Sequence, residues 1–206
     1  VMDLADVSDV NVSRETEDKL KVFLGLLKKW TPKINLIAPS SVGDAWSRHF
    51  VDSAQTFRHR SSDAGMWVDF GSGGGFPGLV CAVLAEGRCP DLQFQMIESD
   101  ARKGVFLRTV IRELDLRATV LVKRIEEVEP LNADVVSARA LASVTDLLPM
   151  AQIHLKPSGR ALFLKGEKWE KEVAEAKKSW NFSMTPHKSK TNHMAAILEI
   201  GDISRV

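Results

Sequence analysis

Tyrosine is absent from the 206 residues, and cysteine occurs only twice, as Cys81 and Cys89. Two cysteines are too few for a disulfide scaffold, and they lack the paired spacing of a zinc site, so no metal is called for. No apolar run is long enough to cross a bilayer, and the first residues carry no basic, apolar and small-residue leader, so the chain reads as cytosolic with no membrane partner. An excess of one charge is missing too: 28 Lys and Arg face 27 Asp and Glu. That balance neither demands nor excludes nucleic acid, because a basic face can be offset elsewhere. Internal repeats and low-complexity segments are also lacking.

Glycine is what stands out instead. Met66 to Phe70 is a short apolar run ending in Gly71-Ser72-Gly73-Gly74-Gly75-Phe76-Pro77-Gly78. It fits a central strand, a glycine turn and a helix start at Pro77, whose fixed φ suits a first helical turn. Glycines let a ligand touch bare backbone, and strand, turn and helix N-terminus together form a nucleotide-type cofactor site.

Two patterns overlap in the loop. Gly73 to Gly78 satisfies G-x-G-x-x-G, with Glu98 twenty residues on, as an NAD(P)-binding oxidoreductase would have. Asp69 to Gly75 also reads D-x-G-x-G-x-G. A pyrophosphate beside Asp69 meets like charge, whereas S-adenosylmethionine carries an ammonium and a sulfonium that a carboxylate attracts. The methyl donor therefore fits better, with Glu98 accepting bonds from ribose hydroxyls in either case. A Walker phosphate loop is excluded, since no Lys-Ser or Lys-Thr follows the glycines.

Residues 1–62 read as a helical extension and residues 63–206 as the core. Val1 to Val12 is polar and aperiodic, a loose arm. Ser13 caps an amphipathic helix carrying Leu20, Phe23, Leu24, Leu27 and Trp30, stopped by Thr31-Pro32. A second helix spans Ser41 to Phe57; His49 lies on or beside its packed stripe, as readily a core residue as a site residue. From Met66 strands and helices alternate: strand Met66 to Phe70, helix Pro77 to Glu86, strand Gln93 to Ile97, helix Ala101 to Leu114 and strand Thr119 to Val122. Strand Asp134 to Ser137, helix Val144 to Leu155, strand Arg160 to Lys165 and helix Lys168 to Lys178 follow. Runs at Phe182 to His187 and Met194 to Ile200 form a hairpin. The expectation is an α/β, Rossmann-like class I methyltransferase fold, mostly parallel with a C-terminal antiparallel hairpin.

The chain resembles the RsmG (GidB) family of 16S rRNA methyltransferases through several pieces taken together. These are Asn35-Leu36, Arg48-His49-Phe50-Val51-Asp52-Ser53, the loop from Gly71 to Gly78, Arg102-Lys103-Gly104-Val105-Phe106-Leu107, Arg124-Ile125-Glu126-Glu127, Ser137-Ala138-Arg139-Ala140 and Leu164-Lys165-Gly166. The resemblance implies methyl transfer from S-adenosylmethionine to N7 of guanine 527 in 16S rRNA and leans toward the 30S subunit over naked RNA as substrate; a monomer is expected. It places Gly71 and Phe76 at the cofactor's amino-acid end, Ile125 and Glu126 at its adenine, and Arg139 toward both cofactor and base. Asp69, Gly73, Gly75 and Glu98 complete the expected cofactor site. A non-catalytic ribosome-assembly factor with the same fold is the other alternative.

Guanine N7 bears an in-plane lone pair and loses no proton, so its methylation needs alignment more than a base. No obvious base stands in the motifs, and neither cysteine is placed to act as a nucleophile. Arg102, Lys103, Arg139 and Lys165 fall near strand ends, where they form a basic rim for RNA. For Arg102 and Lys103 a solvated surface charge is the plainer reading; Arg139 and Lys165 are singled out by motif and position. With no tyrosine, a stacked guanine must rest on Phe, Trp, His or an Arg plane, and Phe76 is the candidate.

Overall fold

The structure is a computed structural model and describes residues 4–206. Its centre is a seven-stranded sheet in the order β3-β2-β1-β4-β5-β7-β6. The strands are β1 (Met66–Phe70), β2 (Gln93–Ile97), β3 (Ala118–Leu121), β4 (Ala133–Arg139), β5 (Leu155–Lys165), β6 (Trp180–Lys188) and β7 (Ala196–Arg205). β1 through β5 pair in parallel, whereas β7 runs antiparallel to both β5 and β6. Successive strands step outward from β1 in one direction as far as β3, and the chain then returns to β4 on β1's other side. That reversal is the topological switch point, where open α/β sheets bind ligands beyond the carboxyl ends of the strands.

Alternation along the strands feeds two apolar clusters, one on each sheet face. Leu162 and Leu164 of β5 join one cluster, while Ala161 and Phe163 join the other. The first is covered by α4 (Gly78–Ala85) and α5 (Ala101–Leu114), the second by α6 (Val144–His154) and α7 (Trp169–Ala176). The N-terminal helices pack into the first cluster as well. Leu20, Phe23 and Leu27 of α2 (Arg14–Ile34) are fully buried there.

Several sequence expectations are corrected. Within the expected loose arm, Leu4–Ser8 forms a short helix, α1, with Leu4 and Val7 buried; residues 1–3 of that arm lie outside the described residues. Helix α2 runs past Pro32 to Ile34 and is closed by Asn35 in the left-handed conformation at φ 51°. Proline removes a single bond in the last turn, while Thr31 Oγ1 donates back to the Leu27 carbonyl. The expected continuous helix from Ser41 to Phe57 is instead a 3-10 turn (Pro39–Ser41), a π-helix (Trp46–Val51), one turn of α-helix, α3 (Asp52–Ala54), and a 3-10 helix (Gln55–His59). The first core helix begins at Gly78, with Pro77 as its cap after a cis Phe76–Pro77 bond.

Candidate functional site at the switch point

The loop after β1 is shaped by backbone conformations that favour glycine. Gly71, Gly73 and Gly75 have φ of 60°, 52° and 90°. The turn is fastened from below: Ser72 N donates to the Ile97 carbonyl at 3.1 Å, and Gly75 N to the Ser72 carbonyl at 2.6 Å. Glu98, just past the end of β2, fastens it from the side. Its Oε2 accepts from Gly73 N and its Oε1 from Asp100 N, each at 2.8 Å. A carboxylate offers about four lone-pair sites, so Glu98 keeps acceptor capacity for a ligand while holding the loop. Leu141 lies over Gly71, where an added Cβ would stand 2.5 Å from its Cδ1.

Asp69 is fully buried beneath this loop. Trp67 Nε1 donates to Ser137 Oγ at 2.8 Å, and Ser137 Oγ donates to Asp69 Oδ1 at 2.6 Å, tying β1 to β4 across the switch point. Oδ2 has no hydrogen-bond partner among the described residues. Burial raises the Asp69 pKa to about 6, against the restraining dipoles of Ser137, Ser72 and the Gly78 amide.

Phe76 turns away from the loop into an aromatic cluster. Its ring stacks with Phe23 at 5.6 Å and with His49 at 5.1 Å, and meets Phe50 edge-on at 5.2 Å. Only 7% of it is exposed, so its main contact is with the N-terminal helices. His49 is thereby assigned to the packed stripe; its Nε2 pairs with Ser41 Oγ at 3.0 Å, and burial beside Arg139 lowers its pKa to about 4.

Arg139 and Lys165, at the ends of β4 and β5, share one cleft of about 940 Å³ with Asp52, Gln55, Ser189 and Asn192. The Arg139 guanidinium donates to the Arg48 carbonyl at 2.7 Å, pairs with Asp52 Oδ2 at 3.5 Å, and lies 5.9 Å from the Phe76 ring centre. Lys165 pairs with Glu172 at 2.7 Å, and Glu172 also accepts from the Val144 amide at the start of α6. Asp52 Oδ1 accepts from Gln55 and Thr191, and Gln55 in turn reaches Ser189 at 3.0 Å and the Lys190 amide at 3.0 Å. The loop between β6 and β7 is thus clamped to the N-terminal segment. Sequence reasoning missed Asp52, Gln55, Glu172 and Leu141 as parts of the site. Only Asp52 carried a signal, through its place in the Arg48 to Ser53 piece.

The remaining expected residues lie elsewhere on the same rim. Ile125 is buried and Glu126 exposed in the 3-10 helix Ile125–Glu127 that follows β3. Arg102 and Lys103 open α5, whose cap Asp100 accepts from both their amides, and the Arg102 side chain is 71% exposed. The structure therefore gathers Gly71, Gly73 and Glu98 at one end of the crevice and Arg139 and Lys165 at the other. Asp69 lies below it and Phe76 behind it.

A glycine turn at the switch point of a sheet in this order defines a Rossmann-like methyltransferase fold. The crystal structure of a SAM dependent methyltransferase from Aquifex aeolicus shares that fold, with a TM-score of 0.59 at 12% identity, over 86% of this chain and 97% of that one. Residues 16–199 match the family GidB, rRNA small subunit methyltransferase G. The ribosomal RNA small subunit methyltransferase G of Ruegeria pomeroyi is 48% identical over 205 residues, 100% of each chain, and that of Cereibacter sphaeroides is 46% identical over 97% of each. The chain belongs to the rRNA small subunit methyltransferase G family. Membership in a methyltransferase family decides against the dinucleotide reading of the same glycines.

Proposed function

We propose that this protein transfers the methyl group of S-adenosylmethionine to N7 of a guanine in 16S rRNA, at nucleotide 527, acting as a cytoplasmic monomer on the 30S subunit. The observation that carries this reading is the Glu98-clamped glycine turn at the β1–β4 switch point, in a chain matching rRNA small subunit methyltransferase G relatives end to end. The residues fit the cofactor. The turn at Gly73 presents backbone with no side chain, Glu98 keeps lone pairs for ribose hydroxyls, and the region lacks a phosphate-binding lysine after the glycines. Gly71, Gly73 and Gly75 would border the donor, with Ile125 and Glu126 at its adenine end. Phe76 acts from behind, by packing the loop against α2.

When bound, S-adenosylmethionine supplies an electrophilic methyl group on a sulfonium centre. The protein's task is then alignment, because N7 attacks through a lone pair and surrenders no proton. Arg139 is suited to that task. Asp52, the Arg48 carbonyl and Ser53 Oγ hold its guanidinium, and the N–H donors they leave over face an acceptor on the base or its phosphate. Arg102 and Lys103 add positive charge for the RNA backbone, and Lys165 contributes there by exchanging its partner Glu172 for a phosphate. Arg48, Asp52 and Gln55 of the N-terminal segment form the far wall of the acceptor cleft.

Calorimetric titration tests the cofactor half of the reading. S-adenosylmethionine should bind the protein with micromolar affinity and NAD+ should not. Gly73→Asp should abolish the heat while the chain stays folded, since its Cβ would meet nothing closer than the Gly71 carbonyl at 3.6 Å and the left-handed backbone at φ 52° costs a non-glycine residue about 1–2 kcal/mol. Binding of NAD+ instead, or donor binding indifferent to Gly73→Asp, would overturn the proposal.

A further inference from the structure

Away from the cleft, three side chains with metal-ligand chemistry meet on one face of the C-terminal hairpin. His59 ends the 3-10 helix Gln55–His59, His187 lies on β6 and Glu199 on β7. Register pairs His187 with Ile197 and Thr185 with Glu199, so His187 and Glu199 are diagonal neighbours on the face that carries Ile197 toward the N-terminal helices. His187 Nε2 is 2.8 Å from Glu199 Oε2, and the two imidazoles stack at 3.8 Å between centroids. One ligating atom from each residue can be chosen so that all lie within 4.8 Å of one another.

We propose that His59, His187 and Glu199 bind a divalent transition metal of the zinc class, which fastens the β6–β7 hairpin to the N-terminal segment. Two imidazoles and one carboxylate form a ligand set that zinc uses, with a fourth position left for water. Ligand atoms on a tetrahedral zinc stand about 3.3 Å apart and each ring plane contains the metal, so binding unstacks the two imidazoles by side-chain rotation and replaces the His187–Glu199 hydrogen bond. The His59 side chain makes no hydrogen bond among the described residues, which leaves its ring nitrogens available. The site is half-buried rather than sealed, so a metal can enter from solvent. Its position gives it a consequence. Gln55, on the same 3-10 helix as His59, holds Ser189 and Lys190 of the hairpin loop that walls the cleft.

No cysteine pair or short histidine spacing announces this site, since its ligands are 128 and 12 residues apart along the chain. The test is titration of the full chain with Zn2+ by calorimetry and with Co2+ by visible absorption, on wild type, His59→Gln and Glu199→Gln. Glu199→Gln keeps size and a bond to His187, so the fold is retained where a histidine change could disturb it. One equivalent per chain, with the intense absorption of four-coordinate Co2+ and affinity at least about tenfold weaker in each variant, is expected. Zn2+ should also raise the melting temperature of wild type and not of the variants. Absence of binding, or binding equal in all three proteins, would overturn the proposal, and neither outcome depends on methyl transfer.

Discussion

Glu98→Gln probes the one side chain that is asked both to shape the loop and to receive the cofactor. The carboxylate accepts from Gly73 N and Asp100 N at 2.8 Å each. Glutamine keeps one carbonyl oxygen, and its amide nitrogen must then face the other N–H, donor against donor. A hydrogen bond to a charged group contributes about 1.5–3 kcal/mol, and a stranded partner adds its own desolvation cost. Glutamine's remaining carbonyl keeps one of the two bonds, so the lower part of that range applies, about 2 kcal/mol. For a chain of this size that corresponds to a fall in melting temperature of roughly 4–8 °C. Calorimetry and urea unfolding without cofactor measure it directly. Donor affinity should fall as well, since the amide offers fewer acceptor sites to the ribose hydroxyls. Cofactor-free stability within about 0.5 kcal/mol of wild type would refute the reasoning, because a clamp cannot be disarmed without loosening what it holds.

Gly78→Ala places a Cβ 2.7 Å from both Asp69 Cβ and Met96 Sδ. Overpacking of about 1–3 kcal/mol then outweighs a helix-propensity gain of at most about 1 kcal/mol, and urea unfolding should show net loss rather than gain. For Asp69→Asn the prediction concerns pH. The folded state raises the Asp69 pKa from 3.8 to about 6, so it favours the protonated form. That contribution is complete below pH ~3.8 and is lost as pH rises through about 6. The stability of Asp69→Asn relative to wild type should therefore climb by up to ~3 kcal/mol over that window; a pH-independent difference would contradict the assignment. Arg102→Ala and Lys103→Ala should leave stability within about 0.5 kcal/mol and lower the salt dependence of rRNA binding by about one charge each. An unchanged salt slope would remove them from the RNA-binding rim.

The sheet was legible because its signals are local. Trp67 to Phe70 are buried, and Gly71, Gly73 and Gly75 after them have positive φ, which other residues adopt at a cost. The C-terminal hairpin was legible too, from two apolar runs with no helical period between them. What escaped depends on distant partners. Leu4 and Val7 form a helix because the chain returns to bury them, which five residues cannot announce. Pro32 ends no helix, because Thr31 and Asn35 satisfy the last turn around it. The broken helical path from Trp46 to His59 follows from tertiary demands, among them the Arg48 carbonyl offered to Arg139. In the site, the glycines and Glu98 could be read from pattern. The Asp52 network could not, since Ser189 and Thr191 lie more than 130 residues away from it.

The central claim is tested most directly by methyl transfer from labelled S-adenosylmethionine to 30S subunits isolated from cells that lack this protein, with the modified nucleoside identified by mass. One labelled 7-methylguanosine per 16S rRNA, at nucleotide 527, is expected with wild type and is lost with Arg139→Ala. Label in any other nucleoside, or no transfer to 30S subunits or free rRNA by protein that binds the donor, would contradict it.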